Sequence, residues 1–446
     1  MNDWFESEKH VERAQELYES GRLDDALREL RAALRLNPYQ GECHYGLGMV
    51  FDAMGRNREA IRHFEQALEL QGEDIELLNS VGVACMRASR LSEAEHYFQR
   101  AERLDSRDEA SYSHRIALYT QLGDHDQAEL MFYLAIQIDD GAARAYFNLA
   151  ESLLDRRKAD RAIWCLEQVL RLDPSDGEVH ARLGEAYHMK GAHERAHACY
   201  LEQLRTSGGD VDTLLDLGNL LVEMDRNAEA SEKFRHVIEL APDNADAHFY
   251  LGVLALRSAH LDAAQLSLEK SLRLNGKRGE TRQKLAYVHL KRDRLTDARA
   301  YLHDELKLRA YRNDPRAAEE LGQLCLEAHL PRKAARVFLE LIREEGPDVQ
   351  LCHEAAVALF MCGRMEDGVR YCRKALRADR EFVPALHNLA LANWRLGRLR
   401  RARYWAKRAL DASPSDRRLQ QLALRLWFAR NRELAVRFYR RLLNPR

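Results

Sequence analysis

The sequence predicts an all-α fold, an α-solenoid of about thirteen helix-turn-helix repeats, and three observations predict it. Alanines recur every 34 residues at Ala26, Ala60, Ala94, Ala128, Ala162, Ala196, Ala230, Ala264 and Ala298. A small residue stands twelve positions before most of them, and a bulky apolar residue four positions after. Turn residues punctuate both halves of each period.

The register continues through Ala334, after two extra residues, then Gly368, Ala402 and Ala435. The preceding small residues are Ala14, Gly48, Gly82, Ala150, Gly184, Gly218, Gly252, Ala286, Gly322, Ala356 and Ala390, a series that only Ile116 breaks. Phe64, Phe98, Phe132, Tyr200, Phe234 and Phe338 are among the bulky followers. Two antiparallel helices approach closely only where side chains are small, and a large neighbour then fills the space beside the contact. Each period therefore reads as a helical hairpin.

Turn positions agree. Gly21, Gly55, Gly123, Gly191, Gly363 and Gly397 divide the two helices of a hairpin, and Asn37-Pro38, Asp173-Pro174, Ala241-Pro242 and Ser413-Pro414 stop the second helix. Pro315, Pro331 and Pro384 fall where helices begin, the one helical place proline suits. The repeats start near residues 7, 41, 75, 109, 143, 177, 211, 245, 279, 315, 349, 383 and 416. Helices of about 14 residues are roughly 21 Å long, and stacked hairpins must wind into a superhelix with a concave and a convex face. Gly208-Gly209, Asn275 to Gly279 and the extension at Arg312 to Pro315 interrupt the regular junctions; they read either as hinges or as longer loops.

Composition supports a helix-rich globular chain: of 446 residues, 46% are hydrophobic and 31% charged, with only 9 Pro and 23 Gly. The longest apolar run, Ala355 to Cys362, is far shorter than the roughly 18 residues of a membrane span. Met1 to His10 alternates acids and aromatics where a signal peptide would show a basic start and an apolar core, so a cytoplasmic location is expected. None of the eight cysteines forms a C-x-x-C pair, and they read as reduced, buried thiols.

Leu47-Gly48, Phe51, Ala60, Phe64 and Ala67, and again Leu217-Gly218, Ala230, Phe234 and Pro242, resemble the tetratricopeptide repeat (TPR) pattern. The likeness runs along essentially the whole chain, with departures at Arg115-Ile116 in the fourth repeat and in the last two repeats. It implies a right-handed superhelical α-solenoid of TPR-like repeats that binds other proteins, with the first helix of each repeat lining the concave surface. The expected organisation is an N-terminal cap at 1–6, repeats 1–9 at 7–312, and repeats 10–13 at 313–446 with a basic end at 383–446. End repeats need solvated caps. Trp4 and Phe5 can seal the first, and Arg437, Arg440 and Arg441 put a polar face on the last.

The most catalytic-looking string is His193-Glu194-Arg195-Ala196-His197, which satisfies the H-E-x-x-H zinc pattern. Ala196, however, is the signature alanine of its repeat, so the string reads as an ordinary second helix. His353 and His387 occupy equivalent first-helix positions and read either as a metal or pH-sensitive contact or as solvated, partner-binding histidines. There is no phosphate-binding glycine loop and no serine nucleophile motif. The expectation is no catalytic residue, no metal ligand and no cofactor. The two-carboxylate clamp of chaperone-tail-binding TPR proteins is also missing: Asn148 and Arg182 stand at clamp-like positions, but Ser113 and Ala117 stand where lysine and asparagine are needed. The asparagine ladder of O-GlcNAc transferase repeats is reduced to Asn148 and Asn388.

The remaining groove candidates are largely apolar and aromatic: Tyr45, Met49, Phe147, Phe249, Tyr250, Tyr287 and Trp394, joined by Asn148, His353 and His387. They read as anchors for an extended or helical partner segment, or as packing between helices. Charge divides the chain more sharply. Residues 383–446 hold 16 Lys+Arg against 3 Asp+Glu, net +13, and the rest carries −15. Arg398, Arg400, Arg401, Arg403, Lys407, Arg408, Arg417 and Arg418 form the expected patch for an acidic protein, nucleic acid or an anionic surface. A rod with unlike ends can also associate head to tail. The expected function is a non-catalytic protein–protein interaction scaffold or adaptor. Attachment to nucleic acid or an anionic surface is the second reading.

Overall fold

The computed structural model describes residues 2–174, 177–308 and 314–443, with side chains described from residue 4 to residue 431. Among these the chain is an all-α helical-repeat solenoid of twenty-five helices, numbered α1 to α25, with no strand. Each 34-residue period becomes two antiparallel helices. In the second repeat they are α3 (Gly41–Ala53) and α4 (Asn57–Gln71), and in the third α5 (Ile75–Arg87) and α6 (Leu91–Leu104).

A left-handed residue closes every first helix. Gly21, Gly55, Gly123, Gly191, Gly363 and Gly397 take φ of 71 to 78°, the conformation that glycine adopts without strain. The other six turns place Ser89, Arg157, Asp225, Ala259, Asp293 and His329 in the same conformation, with φ of 54 to 59°. Repeat geometry thus imposes the left-handed turn even where a side chain opposes it by about 1–2 kcal/mol.

The small-residue logic holds at atomic contact. All nine register alanines are fully buried. A Cβ added at Gly48, Gly82, Gly184 or Gly322 would stand 2.4–2.6 Å from the ring of Phe64, Phe98, Tyr200 or Phe338 respectively. Where the early position is alanine instead, as at Ala150, Ala286 and Ala356, the partner is the smaller Leu166, Leu302 or Cys372. Ring and Cβ compete for the same volume.

The fourth repeat meets its exception differently. Ile116 is fully buried beside Phe132, and Arg115, with a side chain 8% exposed, replaces the usual leucine. Arg115 donates to Glu102 at 2.8 Å and Glu95 at 3.0 Å, and the hydroxyls of Tyr112 and Tyr119 donate to the same two carboxylates.

The chain divides into two compact units, residues 1–230 and 231–446, and the division falls in the sequence of α14 (Asn227–Leu240). In each, buried apolar side chains form clusters running along the helix pairs. Of the interrupted junctions, Gly208 and Gly209 both take positive φ, of 68 and 126°. Asp210 then caps α13 (Val211–Glu223) by accepting from the Thr213 amide. Residues 309–313 lie outside the described residues.

The expected thirteenth hairpin is instead one 27-residue helix, α25 (Arg417–Leu443). The stretch Trp427-Phe428-Ala429-Arg430-Asn431 carries no glycine or proline to reverse the chain, so helix propensity runs on. Ala435, Arg437, Arg440 and Arg441 lie beyond the described side chains. Trp4 and Phe5 of α1 (Asn2–Glu19) are more than half exposed.

Candidate functional site

The first unit places four expected groove residues on α3 and on α9 (Ala143–Asp155). Tyr45 is partly buried, its ring 5.7 Å from Phe64 and its hydroxyl donating to Glu76 at 3.0 Å. Met49 is also partly buried against the core. Phe147 and Asn148 are not available as surface: both are 6% exposed, and the Asn148 amide donates 2.7 Å to the Ser113 carbonyl. That bond ties α9 back to α7 (Glu109–Leu122) and gives the buried carboxamide its partner within the fold. Arg182, the other clamp-like residue, pairs with Glu151 at 2.7 Å and Glu185 at 3.0 Å.

In the second unit, Phe249 and Tyr250 lie on α15 (Ala245–Arg257) and behave unlike one another. Phe249 is 3% exposed and belongs to the core, whereas Tyr250 keeps exposed surface. Tyr250 stacks on Phe234, 5.0 Å between centroids at 10°, and meets Phe249 edge-on at 5.3 Å. Arg278 completes the group, its guanidinium 3.7 Å from the Phe249 centroid and 5.3 Å from that of Tyr250, while pairing with Asp246. Sequence spacing did not single out Arg278, because it lies in the loop before α17 (Gly279–Lys291). Tyr287 is partly exposed on α17, with the Lys291 ammonium 4.9 Å from its ring.

His353 and His387, on α21 (Val349–Met361) and α23 (Val383–Arg395), are partly buried, and no hydrogen bond joins them. His353 Nε2 faces the Asn388 amide at 3.0 Å, and its ring meets Phe382 edge-on at 5.5 Å. Burial holds both imidazoles below their usual pKa and so favours the neutral ring. Trp394 is partly buried against the cluster of Ala390, Ala402, Ala406, Leu422 and Leu426.

The basic end lies on α24 (Leu399–Ala412), its flanking Arg398, and the start of α25. Arg398 is neutralised by Glu366 at 2.5 Å, and Arg408 donates to the Arg380 carbonyl at 2.9 Å. Arg400, Arg401, Lys407, Arg417 and Arg418 are exposed, Arg403 is partly so, and none of these six forms an ion pair among the described residues. Tyr404 of α24 and Trp427 and Phe428 of α25 are each more than half exposed. A cavity of about 1160 Å³ in the second unit, lined by Arg235, Leu254, His260, Asp262, Arg292 and Arg294 among others, includes none of the expected groove residues.

Comparison with known proteins agrees with this architecture. Residues 11–53, 45–109, 147–210, 215–277 and 353–417, more than half of the chain, match the family model of the tetratricopeptide repeat. The human Protein O-mannosyl-transferase TMTC3 is 22% identical over 301 residues, 63% of this chain and 32% of that protein. The Type IV pilus assembly protein PilF of Pseudomonas aeruginosa is 27% identical over 164 residues, 36% of this chain and 65% of that protein. The chain therefore spans less than two thirds of the length of either relative. A solved tetratricopeptide repeat protein from Parabacteroides merdae superposes with a TM-score of 0.46 at 19% identity, covering 56% of this chain and 98% of that one. Paired helices in a 34-residue register, small-on-large contacts at fixed positions and the family match together make this chain a member of the tetratricopeptide repeat family.

Proposed function

We propose that the protein is a non-catalytic scaffold or adaptor that holds a segment of a partner protein against the first-helix face, with the basic C-terminal end as a second contact. One observation carries the reading. In the second unit, Tyr250 and Tyr287 keep exposed ring surface on successive first helices, pre-positioned by Phe234, Phe249, Arg278 and Lys291. Rigid aromatic anchors lose little entropy on binding and are the residues that dominate interface energetics. The burial of Phe147, Asn148 and Phe249 narrows the contact set to Tyr45, Met49, Tyr250, Tyr287, His353, His387 and Trp394.

Capture of partners from the source cell by the intact chain, compared with Tyr250→Ala/Tyr287→Ala, tests the reading. Partner affinity should fall by about tenfold or more while the circular-dichroism spectrum and a cooperative melt are retained. Equal capture by both proteins refutes the groove assignment. Phe249 is left intact, because removing a buried ring would open a cavity and confuse binding with stability. The non-catalytic part of the reading predicts no mannosyl transfer by the purified chain, and measurable turnover would overturn it. The cytoplasmic placement is tested by fractionation of the source cell.

A second reading, attachment to nucleic acid or an anionic surface, is favoured by unpaired Arg400, Arg401 and Lys407 on either side of exposed Tyr404 on α24, and by exposed Trp427 and Phe428 on α25. RNA or DNA binding at low salt that weakens linearly in log salt, and drops on Arg400→Glu/Arg401→Glu/Lys407→Glu, would support it. Absence of binding at low salt removes it.

A further inference from the structure

We propose that His188, His193 and Glu223 form a binding site for a borderline divalent cation, of the zinc class, which clamps the sixth helical hairpin to the first helix of the seventh. His188 lies in the last turn of α11 (Val179–Met189), and His193 is the first residue of α12 (His193–Ser207). Lys190-Gly191-Ala192 reverses the chain between them, with Gly191 at φ 76° and the Gly191 amide donating 2.8 Å to the His188 carbonyl. The turn sets the two imidazoles 5.9 Å apart between centroids. Glu223, the last residue of α13, reaches across from the next hairpin and meets His188 Nε2 at 2.8 Å. One ring nitrogen of each histidine and a carboxylate oxygen of Glu223 all lie within 4.8 Å of one another.

An ion pair alone does not account for the set. Four repeats earlier the same register positions hold Asp52 and Arg87, which pair with each other, and Asn57, whose Oδ1 is likewise buried without a partner; only one of those three is a metal-ligating side chain, whereas here all three are. Here His193 Nδ1 is shielded from solvent and has no hydrogen-bond partner, a cost that His188–Glu223 pairing does not relieve. A cation coordinated by all three groups, with Nδ1 as the ligand atom of His193, relieves it. Two imidazoles and one carboxylate are the donor set of zinc and its neighbours and a poor one for magnesium or calcium, which take oxygen ligands. A tetrahedral zinc ion holds its ligand atoms roughly 3.3 Å apart, so side-chain rotations of about 1 Å close the set.

The flanking cations do not oppose this, since Lys190 is bound to Asp160 at 2.5 Å and Arg195 lies over the Tyr187 ring. Glu194 and His197 of the H-E-x-x-H string take no part. The pairing that matters joins His193 to a residue behind it in the chain.

The test uses the full chain, stripped of metal and titrated with Co²⁺, then with Zn²⁺ as competitor. One equivalent should bind, giving visible d–d absorption without the near-ultraviolet thiolate bands that cysteine ligands would produce. Hydrogen exchange in α11 to α13 should slow on binding. Affinity should drop by at least about tenfold in His188→Ala and in His193→Ala, fall measurably in Glu223→Gln, and stay unchanged in His197→Ala. No saturable binding, or binding that persists in both His188→Ala and His193→Ala, overturns the site. Loss in His197→Ala with retention in His188→Ala overturns it in favour of the sequence string. If His193→Ala melts early, His188→Gln, at a partly exposed helix end, decides in its place.

Discussion

Replacing Gly82 by alanine puts a methyl group where a ring already sits. The new Cβ would stand 2.4 Å from Phe98 Cε1, 2.6 Å from Cζ and 2.8 Å from Cδ1, whereas carbon atoms rest at about 3.5–4.0 Å. Phe98 is fully buried, so its ring must retreat by about 1 Å into packed neighbours. Overpacking of this size costs about 1–3 kcal/mol, and alanine recovers about 1 kcal/mol of helix propensity over glycine. An approach more than 1 Å inside contact places the cost in the upper half of that range, about 2–3 kcal/mol, so the net expectation is a loss of about 1–2 kcal/mol.

The remedy is written elsewhere in the same chain, where Ala286 faces Leu302 in the equivalent positions. Phe98→Leu should therefore rescue Gly82→Ala, with a favourable coupling of about 1–2 kcal/mol in a double-mutant cycle. Because stability in a repeat array is a sum of local terms, the readout is hydrogen exchange of amides in α5 and α6, supported by urea unfolding. Strict additivity of the two substitutions, or a neutral Gly82→Ala, would refute the reasoning.

Three further expectations follow from other parts of the fold. Arg115→Leu restores the family residue but strands the Glu95 and Glu102 carboxylates, and should cost about 2–3 kcal/mol in urea unfolding; the figure is below that of a fully buried pair because the Glu102 side chain is 35% exposed. Burial holds the imidazoles of His63 and His114 at a pKa of about 4, below that of the unfolded chain, so stability in α4 and α7 is complete above pH 6.5 and is lost as pH falls towards 4. Asp216, raised to about 6 by burial and by nearby Glu185 and Asp212, has the opposite sign: α13 should gain protection as pH falls through 6, and exchange rates moving together in all three helices would contradict the assignment. Ala259→Gly, at an exposed turn with φ of 59°, should stabilise by about 1 kcal/mol in a thermal melt, and a destabilised variant would show that the turn is not strained.

The hairpins were legible because their cause is local and repeated: small residues, bulky residues and turn residues recur at spacings that one helical contact needs. Twelve hairpins and the six glycine turns follow from that register, as does the burial of the nine alanines. The six non-glycine turns gave no composition signal, since neighbouring contacts force Arg157 or His329 into a conformation neither prefers. The end of the array misled for a related reason. Ala435 continued the spacing, but spacing alone cannot reverse a chain that lacks a turn residue, and α25 runs straight through.

Which side chains remain at the surface is another matter. Phe147 and Phe249 share the first-helix pattern with Tyr250 and Tyr287, yet the first pair is buried and the second partly exposed. Position on a helix assigns a face, while exposure depends on what the adjoining repeat presents, as with Arg278 over Phe249. The cluster of His188, His193 and Glu223 is equally non-local, for it joins the two sides of a turn to the end of the following helix. Periodicity in one chain thus dictates the hairpin and its register, because both are set by residues within a few turns of each other. Partner-facing and ion-binding chemistry arises only where side chains from separate repeats converge, and that convergence belongs to packing in three dimensions.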